Sequence, residues 1–355
     1  DAMIGAPKRS IRAATNHARS PTRSDADVGR FLLRRLGWTL ATLVVVLTTA
    51  FFLMHAVRGG PFDGERALPA AVEANVRARY HLDWPLWKQY LQYAGPLNLD
   101  EHGARVLGGD GARVTGGVLA GDLGPSFQYR DLSVNDILGA SLPISLALGT
   151  CALLVALAIG LPAGICAALR RGSALDVALQ LGATAGIAVP NFVLAGFLVL
   201  LCVFAWPLFP VAGWGGLREL VLPSLVLGLP FAAYVARLAR TGLVESLAQD
   251  CVRCARAKGL PEHLVVMRHA LPSALLPVIS FLGPAAAGIL TGSLVVERLF
   301  AIPGTGSHFV NGALSRDYTL AMGVTLVYTL LVSLFALAVD LVYSLVDPRI
   351  RLGGS

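Results

Sequence analysis

The chain has 355 residues, 55% of them hydrophobic and only 14% charged, with a mean hydropathy of +0.65. A soluble globular domain carries about 25% charge, so this balance excludes one and describes a membrane protein. The formal charge of +7 does not point to nucleic acid, because the basic residues cluster beside apolar runs, where they act as topology determinants.

Residues 1–29, rich in Arg, Ser, Ala and Thr without an apolar face, read as a solvated basic tail. Asp1 is not an initiator Met, so a start that is trimmed or carries added residues is expected. The first span occupies 30–58, with its apolar part at 36–57 behind Arg30, Arg34 and Arg35. It lacks a small-residue cleavage site and is longer than a signal-peptide core, which predicts a retained anchor with its N-terminal side in the cytoplasm. The polar segment 59–138 then lies outside. Within it LPAAVEANVRARYHL and WPLWKQYLQY read as short helices, the second with Asp83 as N-cap, and the stretch 103–117 as a glycine-rich loop.

The rest of the chain, 139–351, reads as a five-helix core. Spans are expected at 141–169, at 177–209 with a bend at Pro190, at 220–238, at 277–296 and at 319–346. Trp206 and Trp214 bracket a short outer connection, and His55 falls at an interface. Arg34, Arg35, Arg170, Arg171, Arg237, Arg240, Arg349 and Arg351 all fall on one side of this count. The expected fold is therefore an all-α membrane protein with six transmembrane helices and both termini cytoplasmic.

The inner loop 243–276 is unlike its surroundings. On a helical period Leu243, Leu247, Cys251, Cys254 and Ala255 form one apolar stripe, and Glu245, Gln249, Arg253, Arg256 and Lys258 lie on other faces. Gly259 ends that helix as a left-handed cap, Pro261 and Glu262 start a second, and Pro272 is expected to terminate it. Some thirty residues of cornered helix exceed what a connection needs. The two readings are an elbow packed under its own bundle and a knob presented to the groove of a soluble protein.

Of the five cysteines, Cys151, Cys166 and Cys202 lie inside apolar spans, which argues against a disulfide framework. Cys251 and Cys254 form a CxxC without a second ligand pair, so no metal site is expected.

The stretch VRCARAKGLPEHLVVMRHALPSALLP resembles the cytoplasmic loop of importer-type ABC transporter permeases. That loop's pattern is Glu-Ala-Ala, three residues, Gly, nine residues, Ile, one residue, Leu-Pro. Arg253, Cys254 and Ala255 occupy the triplet, Gly259 the glycine, His269 the isoleucine position, and Leu271 with Pro272 the final pair. FLLRRL, GPFDGER, YHLDWPLWKQYL, GDLGPSFQYRDLSVNDIL, GPAAAGILTGSLVVERLFAIPGTG, NGALSRDYTL and DPRIR extend the resemblance over residues 30–351, to the peptide-permease branch and its B-type subunits. The basic tail, the insertion 98–117 and Thr305 to His308 depart from it.

The resemblance implies a type I importer permease fold in the bacterial inner membrane. It implies a second homologous permease subunit, two ABC ATPase subunits that use ATP and Mg, and a periplasmic peptide-binding protein that delivers peptide. The alternative within the branch is a permease for dipeptide, nickel or another small ligand. The ATPase-coupling residues would be Arg253, Cys254, Ala255, Lys258, Gly259, Leu260, Pro261, His269, Leu271 and Pro272. Glu297, Phe300, Pro303, Gly304, Gly306 and Asp340 are candidates for a substrate pathway or gate. Independently, Lys8, Lys88 and Lys258 are followed by Arg, Gln and Gly, so no P-loop is present and no bound cofactor is expected.

Two other classes compete. An intramembrane serine protease would pair Ser293 with His308, but His308 falls in an outer loop and no second intramembrane His exists. A secondary carrier would show broken helices in paired halves, and no repeat relates the halves here.

Overall fold

The computed structural model describes residues 25–56, 75, 78, 80–95, 117–129, 131–290 and 293–346, with side chains for all but 25–29 and 343–346. The tail up to residue 24, most of the first expected outer helix and the insertion 98–117 apart from Gly117 lie outside the described residues. Among the described residues every regular element is helical.

Helix α1 (Asp25–Ala56) is followed by the short α2 (Leu86–Ala94) and a 3-10 turn (Val118–Ala120). Pro85, with φ of −57°, takes the N-cap position of α2 and no side chain caps it. The expected Asp83 cap is thus replaced, because proline presets the first turn and has no N–H to leave unpaired. Helix α3 (Val134–Leu169) begins seven residues before its expected start. The Ser133 hydroxyl accepts the Asp136 N–H at 3.1 Å while Asp136 accepts the Ser133 N–H at 3.0 Å, a reciprocal cap that starts the helix in polar sequence.

Helices α4 (Ala174–Ala188) and α5 (Asn191–Ala205) meet at 109° across Val189 and Pro190, so the break expected at Pro190 is a sharp corner. Helix α6 (Leu217–Leu247) leads almost directly into α7 (Asp250–Ala257). After the corner at Gly259, α8 (Glu262–Ala274) joins α9 (Leu276–Leu290) at 49°. Pro272 does not terminate α8: a π-helical turn over Val265–Ala270 precedes it, and the bend falls at Leu275 instead. A wider turn can absorb a proline that would clash in a regular one. Helices α10 (Leu294–Leu299), α11 (Thr305–Leu314) and α12 (Tyr318–Val346) complete the chain.

Among the described residues four helices, α1, α3, α6 and α12, are long and apolar enough to cross a membrane, and the two bent pairs, each counted as one span, raise the number to six.

The centre is the α3–α6 pair. A Cβ on Gly160 would stand 2.6 Å from the Ala232 carbonyl oxygen, one on Gly164 2.4 Å from that of Ala236, and one on Gly228 2.5 Å from that of Ala152. Gly160 and Gly164 are spaced as GxxxG, which lets two backbones touch where lipid supplies no hydrophobic drive to associate. Leu148, Ala152, Leu222, Val226, Ile289 and Phe300 fill the core on one side of this seam. Helix α1 lies outside, held to α12 by Leu47, Phe51, Tyr318, Met322 and Leu326. At the opposite end of that pair the Arg35 guanidinium lies against the Asp340 carboxylate, which offsets the cost of a lone acid in a span.

Candidate functional site

The elbow is built at the corner between α7 and α8. Gly259 has φ of +76° and lets the chain reverse; its N–H donates to the Arg256 carbonyl at 2.9 Å, and the Leu260 N–H reaches that of Ala255 at 3.4 Å. These two bonds close the helix in the left-handed cap expected there. Across the corner Arg256 grips Glu262 in a fork, Nε to Oε2 at 3.1 Å and Nη2 to Oε1 at 2.6 Å. The pair is exposed, so its effect is to hold an angle more than to add stability.

The inner face of the elbow packs under the bundle. Leu243, Val252, Ala255, Val265, Val266, Ala270 and Ala274 form one buried cluster with Ala168 at the end of α3. Two polar and steric ties add to it. Ser246 and Ser273 share a hydrogen bond at 3.1 Å, and a Cβ on Gly242 would meet the Ala274 carbonyl oxygen at 2.4 Å. The expected stripe is therefore rotated: Val252, not Cys251 or Cys254, faces inward with Ala255, and both cysteines are exposed.

Of the expected coupling residues, Arg253, Cys254, Lys258, Gly259, Leu260, Pro261 and Pro272 are exposed. His269 and Leu271 are half-buried and Ala255 is core. The outer face also carries Leu264 and Met267, 42% and 65% exposed. Leu260, Leu264 and Met267 are thus exposed apolar side chains among charged ones, of which Arg253 is paired with Asp250 at 3.5 Å and Arg256 with Glu262. The inner face agrees with the reading of an elbow packed under its own bundle.

At the far end of the bundle the candidate gate residues divide. Glu297, Phe300, Gly304 and Gly306 are buried, Pro303 is exposed, and Asp340 is elsewhere, paired with Arg35. Glu297 is fully buried and its Oε1 accepts the Ser145 hydroxyl at 2.9 Å. Its Oε2 accepts the Ser307 N–H at 3.3 Å. Ser145 also accepts from the Thr305 N–H at 2.9 Å and the Thr305 hydroxyl at 3.0 Å, and the Tyr328 hydroxyl donates to Thr305 at 3.1 Å. Burial, opposed by these bonds, pushes the Glu297 carboxyl above the usual carboxylate range. Gly304 and Gly306 are glycines for a reason: a Cβ would approach the Glu297 carboxyl at 2.4 Å and 3.0 Å. The AIPGTG turn is thus wrapped around a buried acid. The Arg298 guanidinium turns the other way, onto the Asn311 side-chain oxygen. Ser293, the nucleophile of the protease alternative, accepts the Val296 N–H at 3.4 Å as the cap of α10.

Asp317 is a hub that the sequence reading passed over. It accepts the Ser126 hydroxyl at 2.5 Å, the Phe127 N–H at 3.0 Å and the Gln128 N–H at 3.2 Å, as well as the Leu320 N–H at 3.1 Å. It joins GPSFQYRD to SRDYTL, two motifs distant in sequence. The available signal was an Asp placed to cap the apolar run that follows.

Comparison with known proteins gives a concordant result. The model of the binding-protein-dependent transport system inner membrane component matches residues 160–352. The oligopeptide transport system permease protein OppB of Salmonella typhimurium is 41% identical over 324 residues, covering 91% of this chain and 99% of its own. The dipeptide transport system permease protein DppB of Bacillus subtilis is 40% identical over 325 residues, covering 92% and 99%. A solved structure of the inward-facing MetNI methionine ABC transporter aligns at 19% identity with a TM-score of 0.49, over 59% of this chain and 96% of that one. With a family model covering more than half of it and relatives 40–41% identical over 91–92% of it, the chain belongs to the inner membrane components of binding-protein-dependent transport systems.

Proposed function

We propose that the chain is one of two permease subunits forming the pathway of an ATP-driven peptide importer. It crosses the inner membrane six times with both termini cytoplasmic, α4–α5 and α8–α9 each making one span. Two ABC ATPases dock on the elbows, hydrolyse ATP with Mg, and a periplasmic binding protein delivers peptide. The observation that supports this reading is the division of the elbow: one face is locked into the bundle, and the other exposes Leu260, Leu264 and Met267. Such a knob transmits movement of whatever grips it into α6 and α8, biasing the spans between two states. Oligopeptide is favoured over dipeptide as cargo only by the slightly greater likeness to OppB, and nickel or another small ligand remains the alternative within the branch.

Within this reading Arg253, Cys254, Lys258, Leu260 and Pro261 meet the ATPase, while Gly259, His269, Leu271 and Pro272 hold the elbow's shape. The turn around Glu297, with Phe300, Pro303, Gly304 and Gly306, forms the outer gate; Asp340 anchors α1 to α12.

The test is co-purification of wild type, Gly259→Pro and Met267→Asp after expression with the neighbouring subunits. Wild type is expected to bring down a P-loop ATPase pair and both variants to lose it, with Met267→Asp unchanged in solution behaviour. Retention of the ATPases by Met267→Asp would place the docking surface elsewhere.

A further inference from the structure

Between α3, α4 and α6, on the elbow side of the bundle, lies a cavity of about 320 Å³. Small residues, Gly164 and Ala167 on α3 and Ala183 on α4, make much of its apolar wall, beside the larger Leu179. The cavity is not apolar throughout, because Arg237 and Thr241 of α6 and Thr184 of α4 line it too.

The two arginines there are treated differently by the fold. Arg240 is neutralised: Nε donates to Asp176 Oδ1 at 2.7 Å and Nη2 to Oδ2 at 2.9 Å. Asp176 has no capacity left over, since it also accepts the Gly172 N–H at 2.9 Å and the Gln180 amide at 3.0 Å. Arg237 has no carboxylate among the described residues. Its one hydrogen bond is a long one, Nη2 to the Thr184 hydroxyl oxygen at 3.3 Å, and that hydroxyl gives its own proton to the Gln180 carbonyl at 2.9 Å. A guanidinium has five N–H donors, so most of the capacity of this exposed arginine, which lines the cavity, is unused within the described residues. A cation inside a span faces a cost of a few kcal/mol unless it is matched.

We propose that this cavity binds the phosphate of an anionic phospholipid of the inner leaflet, with Arg237 as its principal ligand and the Thr184 and Thr241 hydroxyls beside it. Three features select a lipid over a free anion. Arg170 and Arg171 follow the lining residue Ala167 by three and four residues, which adds positive charge at that end of α3. The outer surface of α4 is apolar and exposed at Val177 and Leu181, 51% and 65%, a bed for acyl chains. Basic pockets between spans on the cytoplasmic side are where anionic headgroups collect. The inference needs the chain to sit in a membrane but does not depend on the cargo or on the elbow's partner.

The experiment is native mass spectrometry of the full chain, purified in detergent with any subunits that accompany it and titrated with phosphatidylglycerol or phosphatidylcholine. Wild type is expected to retain phosphatidylglycerol at least five-fold above phosphatidylcholine. Arg237→Gln should abolish that preference, and Ala183→Leu, which fills the cavity and leaves every charge in place, should do the same. Equal retention of the two lipids, or a preference that survives in both variants, would overturn the proposal. So would competition by inorganic phosphate at the lipid's own concentration, which would make the site one for free oxyanions. Thermal unfolding of each variant separates loss of the site from loss of the fold, and Arg237→Lys, which keeps the charge without the fork, should recover part of the preference.

Discussion

Glu297 is buried between α3, α10 and α11 with hydroxyl and amide donors around it and, among the described residues, no cation against it. Replacing it with Ala should strand the Ser145 hydroxyl and the Ser307 amide at a cost of about 1–3 kcal/mol for each donor left unpaired. Glu297→Gln keeps an acceptor and should lose less, a difference readable as apparent Tm in detergent. The pH dependence follows from burial. An acid whose pKa is raised on folding binds its proton more tightly in the folded state, so its contribution is greatest at low pH. Wild-type Tm should therefore fall as pH rises from the ordinary glutamate range through the raised value, then level off, and Glu297→Gln should flatten that slope. Equal slopes in the two proteins would remove Glu297 as the source. Gly259 allows a simpler forecast, because nothing lies within 4 Å of a Cβ built there and only the backbone angle is at stake. Gly259→Ala should cost about 1–2 kcal/mol, seen as faster amide exchange over residues 258–262, while the spans keep their protection.

At the scale of elements the α3–α6 seam makes the sharpest forecast. Gly164→Leu drives a side chain into the Ala236 carbonyl and should abolish recovery of monodisperse chain. Gly182→Leu on α4, with nothing within 4 Å, should leave the chain's own stability unchanged. Equal recovery of the two variants would refute backbone contact at the seam. The elements also show what was legible beforehand. Gly259 and Pro190 were readable because each acts through its own backbone, one as a left-handed cap and one as a break. Pro272 misled, because whether a proline ends a helix depends on the turn before it, and a π-helical turn there is visible only in three dimensions. The rotation of the α7 stripe from Cys251 and Cys254 to Val252 arose because eight residues of helix admit neighbouring faces of similar polarity, and packing beneath α3 decides between them. Glu297 was noticed, but its wrapping by Gly304 and Gly306 was not, since the contacts join residues 145, 297, 305 and 328 across separate helices. Asp317 was missed for the same reason.

For the molecule as a whole the test is sidedness. A chain retaining Cys254 alone of its five cysteines should react with a membrane-impermeant thiol reagent in inverted vesicles and not in right-side-out ones. Leu119→Cys in the same background, on a turn where Leu119 is 73% exposed, should give the reverse. Labelling of both from one side would overturn the six-span arrangement. The GxxxG seam bears on how such a molecule moves. With the carbonyls of Ala232 and Ala236 lying where side chains would otherwise cushion the contact, α3 and α6 have little room to slide past one another there and, in the proposed importer, would tilt as one beam. The 31 residues of α6 make that beam about 46 Å long at 1.5 Å per residue, and α7 is fixed to its end. A tilt of about 5° imposed at the elbow then carries the opposite end sideways by about 4 Å, roughly the width of a peptide backbone, by the same helical rise. In the proposed importer such leverage would supply the stroke without any helix having to unwind.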